Sequence, residues 1–306
     1  MKHVLVLRLS ALGDVIHTIP AVVSLREQAN ITWAVEAAYR ELVELVAGVN
    51  TIPARLKTWS KAPLAHRGAI RETWRALRRG GFDEAIDFQG LIKSAALMRV
   101  SAAKVRYSFD RDAIREKQAA WFSNRHVAVD TTKHVIDQNL ELATAAGGRG
   151  KVEVDWSRFP QNKNLDSYRD AIVLLPGAGK PNKLWPVERF RELASRIGPA
   201  ALAVWGPGER ELAEAIGTRA APPTNLRELA WILQNARVVV GADTGPLHLA
   251  DALGMKVVGL YGPTDPRRNG PYGQLDRCIN RFPSTKSMES ISVEEVMNTL
   301  ERVIGQ

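Results

Sequence analysis

A single cysteine, Cys278, stands among 306 residues. It excludes an internal disulfide and any zinc site built from several thiolates, and it suits a reducing compartment. Long apolar runs are also missing. None approaches the roughly 20 residues that a membrane span requires. The N-terminal run Val4-Leu5-Val6-Leu7 breaks at Arg8, so the start does not read as a signal peptide. The histidines at 3, 17, 66, 126, 134 and 248 show no HxxxH or HxH spacing, which gives no signature of a metal centre. No repeat at a period of roughly 20–50 residues is visible, which argues against a solenoid.

What is present is a globular composition with an excess of one charge. The hydrophobic share is 45% and the charged share 25%, which argues against a disordered chain. Lys plus Arg is 42 against 33 Asp plus Glu, a net charge of +9 that implies an anionic partner. The length fits two domains. Short β-branched runs (Val4–Leu7, Ile31–Val35, Glu84–Phe88, Lys104–Tyr107) alternate with helical patterns (Val15–Glu27, Glu41–Ala47, Ile70–Arg79, Ser94–Arg99). Pro20 predicts a kink or restart in the first helix.

The alternation pauses over the polar stretch 156–164 and then resumes. Strands are expected at Ile172–Leu175, Ala200–Trp205, Val238–Gly241 and Val257–Tyr261. Helices are expected at Val187–Arg196, Leu226–Gln234, Pro246–Leu253 and Val293–Ile304. The pattern predicts an α/β protein of two Rossmann-like, doubly wound domains, 1–158 and 165–306. The last helix, about 292–304, is a candidate to pack back on the N-terminal domain. The cleft between two such domains is the default active site.

Three loops at strand ends could carry chemistry. Ser10-Ala11-Leu12-Gly13-Asp14 follows the first strand; Gly13 suits a tight turn, and Asp14 opens a helix. Asp14 is either a helix cap or a base facing the cleft, and a heavily capped carboxylate would be the weaker base. Asp243-Thr244-Gly245-Pro246-Leu247-His248 reads as strand, turn and helix start, with N–H groups and the Thr244 hydroxyl available to phosphate. The third loop, 175–186, contains Ala178, Gly179 and Lys183, but has neither the GxxxxGK[ST] of a P-loop nor GxGxxG. Glu209, in the loop after the next strand, suits a pair of sugar hydroxyls or caps a helix. Asp110-Arg111-Asp112 reads as a charged turn. Basic residues crowd the segment 55–79, with Trp59 and Trp74 among them, and a second group spans 104–125. Interleaved tryptophan suits nucleic-acid stacking or a bilayer headgroup region.

Taken together, several segments resemble glycosyltransferase family 9, the bacterial lipopolysaccharide heptosyltransferases with the two-domain GT-B fold. They are 9–20, Asp87-Phe88-Gln89-Gly90-Leu91-Ile92-Lys93-Ser94-Ala95, Lys183-Leu184-Trp185-Pro186, 243–248 and Tyr261-Gly262-Pro263-Thr264-Asp265-Pro266. The resemblance implies an inverting transferase that moves L-glycero-D-manno-heptose from ADP-heptose to the Kdo (3-deoxy-octulosonate) region of lipid A. It implies Asp14 as catalytic base and Lys183 beside the donor phosphates. Donor contacts would come from Gly13, Ala178, Gly179, Glu209, Asp243, Thr244, Gly245, Pro246, Leu247 and His248. Acceptor contacts would come from Ser10, Lys57, Lys61, Gln89, Lys93 and Arg115. No metal, no further cofactor, no nucleic acid and no obligate protein partner is implied.

The same resemblance implies a peripheral enzyme on the cytoplasmic face of the anionic inner membrane. The Pro176-Gly177-Ala178 form is more similar to the branch that adds a later heptose, which is the alternative acceptor. A non-catalytic ADP-sugar-binding module would keep the phosphate loops and have no use for Asp14. A nucleic-acid binder would need a reader motif, and none is present.

Overall fold

A computed structural model of the chain describes residues 1–62, 64–156 and 163–306, with the side chains of Lys57, Ser60 and Lys163 excepted. The chain forms two compact units, Met1–Asp155 and Trp156–Gln306. Much of the polar stretch at 156–164 lies outside the described residues.

The first unit contains strands β1 (Lys2–Leu7), β2 (Ala29–Glu36), β3 (Asn50–Ala54), β4 (Glu84–Asp87), β5 (Val105–Phe109) and β6 (Arg125–Val127). They form a parallel sheet in the order β3-β2-β1-β4-β5-β6. The second unit contains β7 (Ile172–Leu175), β8 (Ala201–Ala203), β9 (Arg219–Ala220), β10 (Val238–Ala242), β11 (Val257–Tyr261) and β12 (Cys278–Asn280). Its parallel order, β12-β11-β10-β7-β8-β9, is the same winding: the chain starts in the middle, runs to one edge, then returns to fill the other half. Central strands are apolar throughout because helices cover both faces. Val4, Leu5, Val6 and Leu7 in β1 and Val238, Val239 and Val240 in β10 have no exposed surface.

Each sheet has a switch point where the winding reverses, between β1 and β4 and between β7 and β10. Ligands of such sheets bind outside the carboxyl ends of the strands at that point. There Leu7 pairs with Asp87, and Gly241 with Leu175.

One sequence expectation changes here. The first helix, Leu12–Leu25, runs unbroken through Pro20. Proline removes one helical donor and crowds the preceding turn. Near it, buried Asn139 of the helix Val135–Ala145 donates to the carbonyl of His17 (3.0 Å) and to Thr18 Oγ1 (3.3 Å). The last helix, Val293–Gly305, packs its apolar side within its own unit. Its apolar side chains Val293, Val296, Leu300 and Val303 belong to the second unit's core, beside Phe190, Val258 and Leu260.

Candidate functional site

At the first switch point Asp14 is held by Arg8. Arg8 Nη2 lies 3.0 Å from Asp14 Oδ1, and the Arg8 side chain is almost wholly buried. Arg8 also donates to the carbonyl of Phe88 and, at 3.3 Å, to the carbonyl of Asp14. The indole of Trp33 donates to the Arg8 carbonyl at 3.0 Å. Asp14 is not the N-cap. Ala11 takes that position, and Asp14 sits three residues into the helix, accepting one long bond from Ala11 N–H at 3.3 Å. Its side chain keeps 37% of its surface exposed, so a substrate hydroxyl can reach it. Gly13 makes no left-handed turn; it is buried in the first helical turn.

The end of β4 closes this site. Asp87 is fully buried and accepts from Gln89 N–H (2.9 Å), Gly90 N–H (3.2 Å) and Ser94 Oγ (2.9 Å). Burial pushes its carboxyl up to about 6, against the pull of those donors and of Arg8. Buried Gln89 accepts from Leu9 N–H at 2.6 Å through its Oε1, so it splices the β4 loop to the β1 loop. Gly90 has φ 64°, and a Cβ there would lie 2.9 Å from Ile114 Cγ1 and 3.2 Å from Arg115 N. Glycine thus lets the segment carrying Arg115 pack on this loop. Ser10 is half-buried, and Lys61, Lys93 and Arg115 are exposed. The side chain of Lys57 lies outside the described residues.

The second switch point is built around another acid. Asp243 accepts from Lys183 Nζ (2.6 Å), His248 Nε2 (2.9 Å) and Asn269 Nδ2 (2.9 Å). Burial raises its carboxyl, but the hydrogen bond and charge of His248, followed by those of Lys183, outweigh burial and hold it well below the usual carboxylate range. Thr244 caps the helix Gly245–Ala252, with Pro246 in its first turn, and Thr244 Oγ1 has no hydrogen-bond partner among the described residues. A helix start with a free hydroxyl and a neighbouring ammonium suits an anion. The Leu247 side chain is wholly buried, so only its backbone can serve a ligand.

Glu209 stands at the N-cap position of the helix Arg210–Ala215, but its side chain makes no capping hydrogen bond. Its carboxylate turns back to accept from Gly206 N–H at 2.8 Å. It also lies so close over Gly177 that a Cβ there would meet it at 2.1 Å. The absence of a side chain at Gly177 therefore makes room for the acid. Ala178 is half-buried and Gly179 exposed in the same loop. Asp110 accepts from the N–H groups of Asp112 (3.2 Å) and Ala113 (3.0 Å), a charged turn. Trp59 is buried in the core, so of the two tryptophans in the basic segment only Trp74 is open to solvent. Sequence reasoning missed Arg8, Asp87 and Asn269 as partners; their roles depend on contacts between distant strands.

The model of glycosyltransferase family 9 (heptosyltransferase) matches residues 70–298. The chain is 32% identical to lipopolysaccharide heptosyltransferase 1 of Escherichia coli K12, over 97% of this chain and all of that one. It is 32% identical to the protein of that name from Pseudomonas aeruginosa, over 89% and 82% of the two chains. Among solved structures, E. coli heptosyltransferase WaaC with ADP superposes with a TM-score of 0.85 at 27% identity, covering 99% of this chain and 100% of that one. E. coli ADP-heptose lps heptosyltransferase II shares the fold, with a TM-score of 0.77 at 22% identity over 100% and 99% of the two chains. With the family matched over most of its length and both switch points furnished with polar groups, the chain belongs to glycosyltransferase family 9, the heptosyltransferases, and is a glycosyltransferase.

Proposed function

We propose that this lipopolysaccharide heptosyltransferase transfers L-glycero-D-manno-heptose from ADP-heptose to the Kdo region of lipid A, with inversion. The second switch point carries this reading: Lys183, the unpartnered Thr244 hydroxyl and a helix start stand together where a diphosphate would be held. The full-length match to heptosyltransferase 1 supports the first-heptose acceptor, whereas lipooligosaccharide heptosyltransferase 2 of Haemophilus influenzae matches only 37% of this chain.

In this mechanism Asp14 takes the proton of the acceptor hydroxyl. That oxygen attacks the anomeric carbon from the face opposite the diphosphate and forms the new C–O bond. The bond from the anomeric carbon to the β-phosphate oxygen breaks, and its electron pair leaves with ADP. Positive charge builds on the sugar and negative charge on the diphosphate. Lys183 and the N–H groups after Asp243 stabilise the latter as the leaving group departs. Asp243 fixes Lys183 for this task, and His248 and Asn269 fix Asp243. Glu209 takes hydroxyls of the ADP ribose. Lys61, Lys93 and Arg115 meet the acceptor's phosphates and carboxylates. Arg8 holds the Asp14 carboxylate and its carbonyl together, which sets the base before substrate arrives.

No described helix is long and apolar enough to cross a membrane. On this reading the enzyme is a peripheral visitor to the cytoplasmic face of the inner membrane. Mass spectrometry of Kdo-lipid A incubated with the protein and ADP-heptose tests the reading. A gain of one heptose is expected; no gain, or a gain only on an already heptosylated acceptor, overturns it.

A further inference from the structure

Helices Leu56–Lys61, Arg67–Arg79 and Ile92–Val100 and the short turn of helix Lys117–Phe122 lie over one hydrophobic cluster on one face of the first sheet. The other face is covered by Leu12–Leu25, Arg40–Ala47 and Val135–Ala145, which pack on one another. The two layers differ on the outside. Met1 aside, every large hydrophobic residue exposed among the described residues of the first unit belongs to the first layer or the turn leading into it: Leu64 (84%), Trp74 (52%), Ile92 (43%) and Trp121 (71%).

Charge collects on the same layer. Between Arg55 and Arg79, eight basic residues stand against one acid, Glu72. On the helix Arg67–Arg79 the core side is marked by Ile70, Thr73 and Leu77. At about 100° per residue, Trp74, Arg67, Arg78 and Arg71 fall in that order along a single flank, within a sector of about 60°. None of these arginine side chains has an ion pair or hydrogen bond among the described residues. Several exposed arginines of the second unit are spent internally by contrast, as in Arg169–Asp166, Arg196–Glu192, Arg210–Glu214 and Arg267–Asp265. Unspent guanidinium groups beside indole and aliphatic side chains match a surface that is anionic at its headgroups and apolar beneath. A nucleic acid would use the arginines and Trp74 but leave Leu64 and Ile92 without a role. Each crossover in a parallel sheet starts from a strand's carboxyl end, so Leu64, Arg67 and Ile92 stand at the same rim of the sheet as Asp14.

We infer that this layer is a docking surface for a bilayer containing anionic lipid, with the arginine flank on the headgroups and Trp74, Leu64, Ile92 and Trp121 at the interface. The inference rests on the proposed lipid-linked acceptor only for its purpose, because lipid binding is measurable without transfer.

The test is co-sedimentation of the full chain with vesicles of phosphatidylcholine, alone or mixed two to one with phosphatidylglycerol. The protein is expected to sediment with the acidic vesicles, less so at high salt. The variant R67Q/R71Q/R78Q should lose roughly 10²-fold in partitioning, at about fivefold per charge. W74A should lose several-fold on the same vesicles. R196Q/R210Q/R302Q, which removes equal charge from the second unit, should stay close to wild type. Equal losses in the two triple variants, or sedimentation indifferent to lipid charge, would overturn the inference. So would a surface variant that sheds random DNA but keeps the vesicles. Heptose transfer to detergent-dispersed Kdo-lipid A, measured in parallel, verifies that the variants are folded. Transfer by wild type without sedimentation removes the docking surface and spares the enzymatic reading. Sedimentation without transfer does the reverse.

Discussion

The two units share one winding but use the acid at the end of its fourth strand in opposite ways. Asp87 ends β4 and Asp243 follows β10. Both are buried carboxylates at a switch point, yet burial pushes one up to about 6 while its partners hold the other below the usual range. The difference lies in where each unit spends its cation. In the second unit Lys183, from the loop after the first strand, pairs with the fourth strand's acid. In the first unit the corresponding cation, Arg8, pairs with Asp14 on its own loop, and Asp87 is left to hydroxyl and N–H donors. One architecture thus yields a half-exposed carboxylate in one unit and an anchored ammonium in the other, the two groups to which the proposed mechanism gives the proton and the diphosphate.

The sharpest way to break this comparison is to neutralise the exposed acid. Asp14→Asn is expected to lower kcat by roughly 10²–10⁴-fold. ADP affinity, measured by calorimetry, should stay near wild type. Normal turnover would reduce Asp14 to a helix-start residue paired with Arg8. Asp243→Ala strikes the other unit. It strands Lys183 and His248 beside an empty place, and a lost partner in a buried pair costs about 3 kcal/mol. A lower urea midpoint and weaker ADP binding should appear together.

The acids should also differ in how pH reaches stability. Asp87 keeps its proton in the folded chain up to about 6, whereas its ordinary value is 3.8. Between about 4 and 6 the folded state therefore binds the extra proton, and stability falls as pH rises, by up to about 3 kcal/mol. Asp251, also raised to about 6 by burial, adds a slope of the same sign. Asp243 works the other way: its contribution is present above the ordinary carboxylate range and is lost as pH falls below it. Urea midpoints of Asp87→Asn across pH 4–6 should lose the first unit's share of the slope; an unchanged slope would show that Asp87 titrates ordinarily. The mildest change is Gly177→Ala. It displaces only the flexible end of Glu209, so stability should change by less than about 1 kcal/mol. The KM for ADP-heptose should rise as it does in Glu209→Ala, and a difference between the two variants would take Glu209 out of the donor site.

Most of the eight inner strands were legible because burial on both faces writes an apolar run, whereas β4 and β5 carry charged residues and showed only short apolar or β-branched stretches. The four missed, β3, β6, β9 and β12, are the outer strands of the two sheets. Each is short or polar, and β3 contains Pro53, which only an edge tolerates. The helix Val135–Ala145 was missed because its buried side includes polar Gln138 and Asn139. In the site, Asp14, Lys183, Asp243 and His248 were legible from loops that follow strands. That Lys183 and His248 share one carboxylate was not, because the lysine stands 60 residues from Asp243. Leu247 and Gln89 show the converse: both lie in site loops, yet one side chain fills the core and the other ties two loops together.

The junction of Asn139 with the first helix reaches across 122 residues to the turn that precedes Pro20. The helix that presents Asp14 is therefore secured by an amide supplied near the close of the first unit. A chain cut or truncated before residue 135 would retain all six strands of that sheet and still lose the clasp that steadies its acid. Proteolytic release of the helix Val135–Ala145 would therefore loosen the seat of Asp14 without touching it.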